Sequence, residues 1–193
     1  MVRKLTGAWV VAATVMLLAT GAAASGFDMT PAVQAELERQ KTVVASWAAN
    51  PVIVNAVAEQ NRKGPIAGMD NAKWKATRRS ESVVTAFQNN AAGQFLKTKL
   101  AEGNGAFSEA FLNAAEGQKV AFVEKTTSYI HKGQAKFDVP FMSGKPWQGK
   151  PEFDESSQTY AVQISVPVLA EGKSIGVLVV GVNLSHLEKY AKK

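Results

Sequence analysis

The chain has 193 residues, 46% of them apolar, with 22 Lys and Arg against 16 Asp and Glu for a formal charge of +6, and no cysteine. Collagen-like, disordered and multi-pass membrane classes do not have this composition. The lack of cysteine excludes disulfides, thiolate nucleophiles, zinc-thiolate and iron-sulfur sites, CxxCH haem attachment and a lipidated N-terminal cysteine.

Arg3 and Lys4 give a positive start, Leu5 to Gly21 is apolar, and Ala22-Ala23-Ala24 is a small-residue cleavage site followed by Ser25. This is the pattern of a secretory signal peptide over residues 1–24; an uncleaved anchor would need a longer and more apolar core. Cleavage after Ala24 leaves residues 25–193 as one domain, long enough to bury a core. The leader takes two basic residues with it, so 20 basic residues remain against 16 acidic ones, and they are scattered. Arg78-Arg79, the one arginine doublet, reads as a solvated helix face, and nucleic-acid binding is not expected. Ile175 to Val182, the most apolar later stretch, is too short to span a bilayer and is interrupted by Gly176 and Gly181. The expected location is the periplasm or the extracellular medium.

Thr30-Pro31 and Asn50-Pro51 each place a capping side chain before a proline at the first helical position, where a missing N–H costs nothing. Each opens a predicted helix. In the first, Val33, Leu37, Val44 and Trp47 recur on a three/four spacing, with Glu36, Glu38, Arg39 and Lys41 left to solvent. After a bend at Asn50, the second continues with Val52, Ile53, Ala56 and Val57 inward. Gly64-Pro65 and Gly68 mark a loop. Asp70 caps a third predicted helix whose inward residues are Trp74, Val84, Phe87, Ala91 and Phe95, ending at Gly103 and Gly105.

The period then changes. Ala110 to Ala114 and Lys119 to Val123 flank Glu116-Gly117, a hairpin signal, although the first arm also reads as a short helix. Tyr160, Val162, Ile164, Val166 and Val168 alternate along a long strand, Glu171-Gly172 turns it, and Ser174 to Val182 returns with apolar residues on both faces, as a central strand does. Ser185 is placed to cap a short terminal helix. Helices first and an antiparallel sheet afterwards make an α+β architecture with the long helices on one sheet face. From Lys125 to Gln158 no period is clear, yet the segment holds Tyr129, His131, Lys136, Phe137, Asp138, Trp147, Glu152, Phe153 and Asp154. So long and aromatic a connection points to a layer that covers the second sheet face and encloses a pocket.

Trp47-Ala-Ala-Asn50-Pro51-Val-Ile-Val-Asn-Ala-Val57-Ala-Glu-Gln60-Asn61, Met69-Asp70 with Trp74, Gly117-Gln-Lys-Val120-Ala121, Lys125-Thr-Thr-Ser-Tyr129, Gly133, Asp154-Glu155-Ser156-Ser157, Gln163-Ile-Ser165-Val-Pro167-Val-Leu169 and Gly172-Lys-Ser-Ile175-Gly176-Val-Leu178 together resemble the extracytoplasmic Cache domains. These are the PAS-like PDC sensor modules of bacterial chemoreceptors, histidine kinases and cyclases. The resemblance runs over nearly all of residues 25–193. It implies a single Cache domain, with a long N-terminal helix on a central antiparallel sheet and small ligands bound on the opposite face beneath a long loop. Receptors of the family continue into a transmembrane helix and a signalling domain, whereas this sequence stops at Lys193, so a signal is expected to pass to a separate membrane partner. Amino-acid-binding relatives carry an aspartate where this chain has Asn183, which leaves a cationic amine without that counter-charge.

Aligned with the family, the pocket is floored by the strands at Tyr160 to Val168 and Ile175 to Val182. Tyr129, His131, Lys136, Trp147 and Gln163 are the candidate ligand-binding residues. A lysine ammonium, a histidine and a phenol can neutralise and hydrogen-bond a carboxylate in an apolar cavity. The competing readings are a core aromatic for Tyr129 or Trp147, a solvated Lys136 and a solvent-facing Gln163. His131 and His186 are too few for a transition-metal site, and no GxSxG-type turn positions a nucleophile; neither cofactor, metal nor catalysis is expected. Asp154-Glu155-Ser156-Ser157 reads as a turn. The expected function is a small-molecule-binding sensory domain for a small organic acid or related metabolite. Its alternative is a structural or interaction module with a degenerate pocket, and a small hydrolase comes last. The bent N-terminal helix is the expected surface for a homodimer or partner.

Overall fold

The computed structural model describes residues 26–154 and 158–191. The leader, its cleavage site and the turn at residues 155–157 lie outside the described residues. Helix α1 (Pro31–Ala48) starts where Thr30 Oγ1 accepts a hydrogen bond from Val33 N at 3.3 Å. Helix α2 (Pro51–Lys63) starts where Asn50 Oδ1 accepts from Val52 N at 2.9 Å. Val33, Leu37, Val44 and Trp47 are all buried, as are Ile53 and Val57, while Val52 is turned outward.

The third predicted helix is three helices, α3 (Asn71–Ala76), α4 (Ser82–Asn89) and α5 (Ala91–Glu102). Asp70 Oδ1 caps α3 by accepting from Lys73 N at 2.7 Å. The break between α4 and α5 has a packing cause: Trp74, Val84 and Phe87 pack on one face of the sheet, whereas Ala92 and Leu96 pack on the other. A continuous helix could not serve both faces, so the chain turns a corner at the sheet edge. Asn90 makes that corner, accepting from Gly93 N at 2.8 Å and donating through Nδ2 to Val120 O at 2.8 Å. Gly93 allows it, since a Cβ there would stand 2.4 Å from Gln88 O. Arg78 and Arg79 lie in the gap between α3 and α4 rather than on a helix face, and Arg79 pairs with Glu124 at 2.9 Å on the surface.

Strands β1 (Phe107–Ala114) and β2 (Lys119–Phe122) form the predicted hairpin. Gly117 sits in its turn at φ +78°, where a Cβ would also meet Lys132 N at 2.3 Å. The stretch between Lys125 and Gln158 is less irregular than its sequence suggests. It contains α6 (Ala135–Ser143), β3 (Trp147–Gln148) and β4 (Glu152–Asp154). Strands β5 (Thr159–Ala170) and β6 (Lys173–Asn183) follow, then α7 (Leu184–Ala191). The cap of α7 is Asn183, whose Oδ1 accepts from His186 N at 3.0 Å; Ser185, assigned that role from sequence, instead accepts from Tyr160 N through its hydroxyl at 3.2 Å.

All pairings are antiparallel, in the order β2-β1-β6-β5-β3 with β4 also on β5. The α+β expectation holds: β6 is central, and α1, α2, α5 and α7 lie on the face that carries Leu112, Ile164, Val166, Leu178 and Val180. The second face carries Phe111, Phe122, Val177 and Val179, covered by Trp74, Phe87, Tyr129 and Phe137. No helix of the described residues is long and apolar enough to cross a membrane.

Candidate functional site

The second face is not filled along its whole length. Where β1 begins and β6 ends, it opens into a cleft of about 710 Å³. Its floor is Glu109, Gln163 and Gly181, and its walls are the start of α6 with Lys136 and the stretch from Trp147 to Asp154. Glycine at 181 decides the shape of that floor. Gly181 is paired with Glu109 on one side and Gln163 on the other. Strands two positions apart are separated by about 10 Å, yet Gln163 Nε2 donates to Glu109 Oε1 at 2.6 Å, closing over the bare glycine. A Cβ at 181 would stand 2.5 Å from Ser108 Oγ and 2.7 Å from Glu109 Cγ.

The cleft carries charge of both signs. Lys136 and Lys150 face Glu109, Glu152 and Asp154 around it. Trp147 offers an aromatic wall, held by pairing with Ser165 on β5. Gly149 N donates to Gln163 O at 2.8 Å and ties the wall to the floor. This mixture of one aromatic surface with a few convergent polar groups suits a small polar metabolite.

Three of the five residues singled out from sequence, Lys136, Trp147 and Gln163, line this cleft together. The other two do not. Tyr129 is fully buried between Trp74 and Phe87, with ring centroids 5.6 and 6.2 Å away. Its hydroxyl accepts from Ile66 N at 2.9 Å, and burial raises its pKa, so its polar end anchors the loop after α2. His131 is buried against the Phe111 ring at 4.8 Å between centroids. Burial, with Lys119 and Lys136 adding repulsion, lowers its pKa to about 2, so it is a neutral imidazole at any physiological pH.

Lys119 was missed from sequence. Its side chain is completely buried on the second face, with Nζ 3.7 Å from the Phe111 ring centroid and 3.2 Å from Asn113 Oδ1. Strict alternation back from Phe122, which packs on the second face, would put Lys119 on the helix-covered face with Ala121. A bulge intervenes: Leu112 pairs with Ala121, but Asn113 pairs with Lys119, leaving Val120 as the extra residue. Burial holds the lysine well below its usual pKa, Glu109 opposing that shift and Lys136 adding to it. The available sequence signal was a lysine flanked by Gln118 and Val120 in a short apolar strand.

Among the described residues, no group of three or more His, Asp or Glu side chains is placed to hold a metal ion. Glu109 accepts a hydrogen bond from Gln163, and His131 is buried.

No family model and no curated protein matches the chain. Solved structures do. The sensory domain of the Campylobacter jejuni chemoreceptor Tlp3 with isoleucine bound is similar at TM-score 0.47 and 17% identity, over 83% of this chain and 59% of that one. The ligand-binding domain of the Pseudomonas aeruginosa amino-acid chemoreceptor PctC in complex with GABA is similar at 0.44 and 15%, over 81% and 57%. The sensor domain of the V. cholerae histidine kinase DctB is similar at 0.39 and 18%, over 83% and 60%. This chain therefore spans less than two thirds of the length of the sensory domains it matches.

Proposed function

We propose that this chain is an extracytoplasmic sensory domain of the single Cache type that binds a small organic acid or related metabolite and acts through a separate membrane partner. The observation that carries the reading is the cleft of about 710 Å³ on the second sheet face, where Lys136, Trp147 and Gln163 converge. The Cache-like order of motifs from Trp47 to Leu178 supports it, as does a volume within the range of small-molecule sites. Residues 25–193 are the mature domain in this reading, and the N-terminal sequence of the exported product should begin at Ser25.

The test is a thermal-shift screen against mono- and dicarboxylates, with amino acids and amines included. A ligand that binds only the native state at a hundredfold excess over its Kd stabilises by about 2.7 kcal/mol, a readily measured rise in Tm. Trp147→Ala and Lys136→Met should weaken the hit while keeping the unliganded Tm near that of the parent. If both variants bind as the parent does, the cleft is not the site. If no compound in the library shifts the protein, small-molecule sensing itself is withdrawn in favour of a protein-interaction role.

A further inference from the structure

The mixed-charge cleft is not the only polar feature of the second sheet face. Deeper on this face, Lys119, Asn113 and His131, all three buried, stand together around the Phe111 ring. Among the described residues no carboxylate lies within ion-pair distance of Lys119 Nζ, whose single hydrogen-bond partner is the neutral Asn113 Oδ1. Asn113 Nδ2 and His131 Nδ1 are buried and make no hydrogen bond, and neither does Ser165 Oγ, which lies on the same face one strand beyond Val179.

A buried polar group without a partner is costly, and an ammonium without a counter-ion far more so; such groups gather where an occupant supplies what the protein does not. The charge of that occupant follows from the donors. Lys119 brings up to three N–H groups and Asn113 two, and the second ammonium nearby, that of Lys136, lies 6.0 Å from the same Phe111 ring. Lys136 also lines the outer cleft, so it links the cleft to this inner cluster. The apolar surroundings are Phe111, Val177 and Val179 from the sheet and Phe137 from α6. Gly133 and Gly144, both at positive φ, flank α6 as it covers the cluster.

We propose that Lys119 and Asn113, next to the neutral His131, form a buried anion site that receives the carboxylate of a small monocarboxylic acid, reached from the cleft past Lys136. The inference rests on the organic-acid reading of the preceding subsection and deepens it, because it moves the charged end of the ligand from the open cleft to a residue beneath α6. Lys136 then acts on the way in, and the cleft residues meet the rest of the ligand.

The experiment titrates the full chain with formate, acetate, propionate and butyrate, with acetamide as the uncharged control, by calorimetry and thermal shift. Lys119→Met replaces the ammonium with an apolar chain of similar length and should fold at least as stably as the parent. It should weaken carboxylate binding by roughly 30-fold or more, the usual cost of removing one partner of a buried charge pair. Asn113→Asp builds a carboxylate in beside Lys119 and should also abolish acetate binding, while its near-ultraviolet dichroism shows the parent's packing. Carboxylate binding to the parent should be accompanied by proton uptake, since burial holds Lys119 below its usual pKa and the bound anion favours the protonated form; Glu109 from β1, Lys136 from α6 and His131 face that ammonium, and Lys119→Met should remove the uptake. If a carboxylate shifts the parent and Lys119→Met equally, the inner site is wrong and the cleft reading stands. If none of the four acids binds the parent while another class of metabolite does, the anion site is overturned and the sensory reading survives. If nothing binds at all, both fall.

Discussion

On the helix-covered face of the sheet, Leu112, Ile164, Val166, Leu178 and Val180 meet Val33, Leu37, Trp47, Ile53 and Leu96 in one continuous apolar cluster. On the other face an apolar cluster around Trp74 and Phe87 gives way to Asn113, Lys119, His131 and Ser165, and then to the open cleft with Glu109 and Gln163. The same strands supply both, one residue apart, so the contrast isolates what each face is for. The first stabilises the fold by burying area. The second gives up part of that stabilisation to place polar groups where water cannot satisfy them all, the arrangement that the proposed ligand site requires.

The sharpest way to break the first face is Leu178→Ala, at a fully buried position in the central strand. It should cost about 3 kcal/mol through lost burial plus a cavity, read as a lower urea midpoint at unchanged slope. An effect under about 1 kcal/mol would mean this face collapses around the gap rather than holding its shape.

The second face should respond to acid instead. His131 has a folded-state pKa of about 2, against roughly 6.5 in the unfolded chain. The unfolded state therefore binds the extra proton between these values, so His131 lowers stability as the pH drops below about 6.5, with a slope approaching 1.4 kcal/mol per pH unit for one proton. Urea unfolding from pH 7 to pH 5 should show that slope, and His131→Phe should flatten it. A parent profile with no slope over this interval would place His131 in a wetter setting than the one described.

Adjacent residues on β5 make the comparison at close range. Val166→Ala should cost about 2 kcal/mol on the helix-covered face. Ser165→Ala should lie within about 1 kcal/mol of neutral, because the hydroxyl it removes has no partner to lose. Equal costs at the two positions would erase the distinction between the faces. Gly181→Ala falls between them, at about 1 kcal/mol of overpacking, with a larger effect on ligand affinity because the Glu109–Gln163 bridge crosses that glycine. Away from the sheet, Asn50→Ala, which removes the cap of α2, should lower stability by about 1 kcal/mol and leave ligand binding unchanged.

The helix starts at Thr30 and Asn50, the inward residues of α1, the β1-β2 hairpin and the long β5-β6 pair were all legible in the sequence. Each is set by short-range chemistry: a capping oxygen before proline, a three/four or two-residue apolar period, a glycine turn. So was the stretch that walls the cleft, since Lys136 and Trp147 stood out as chemistry-bearing residues in a segment without a period of its own. The tertiary structure alone decided what depends on contacts between distant residues. The long helix after Asp70 breaks because Trp74 and Phe87 must reach one face while Leu96 reaches the other. Tyr129 withdraws into the core because Ile66 N is there to donate to its hydroxyl. Lys119 faces the interior because one bulged residue, Val120, reverses the alternation that a reader of the sequence would apply. A period of two assigns faces only while the ladder is regular, and where it slips by one residue the local sequence does not record which side chains change sides.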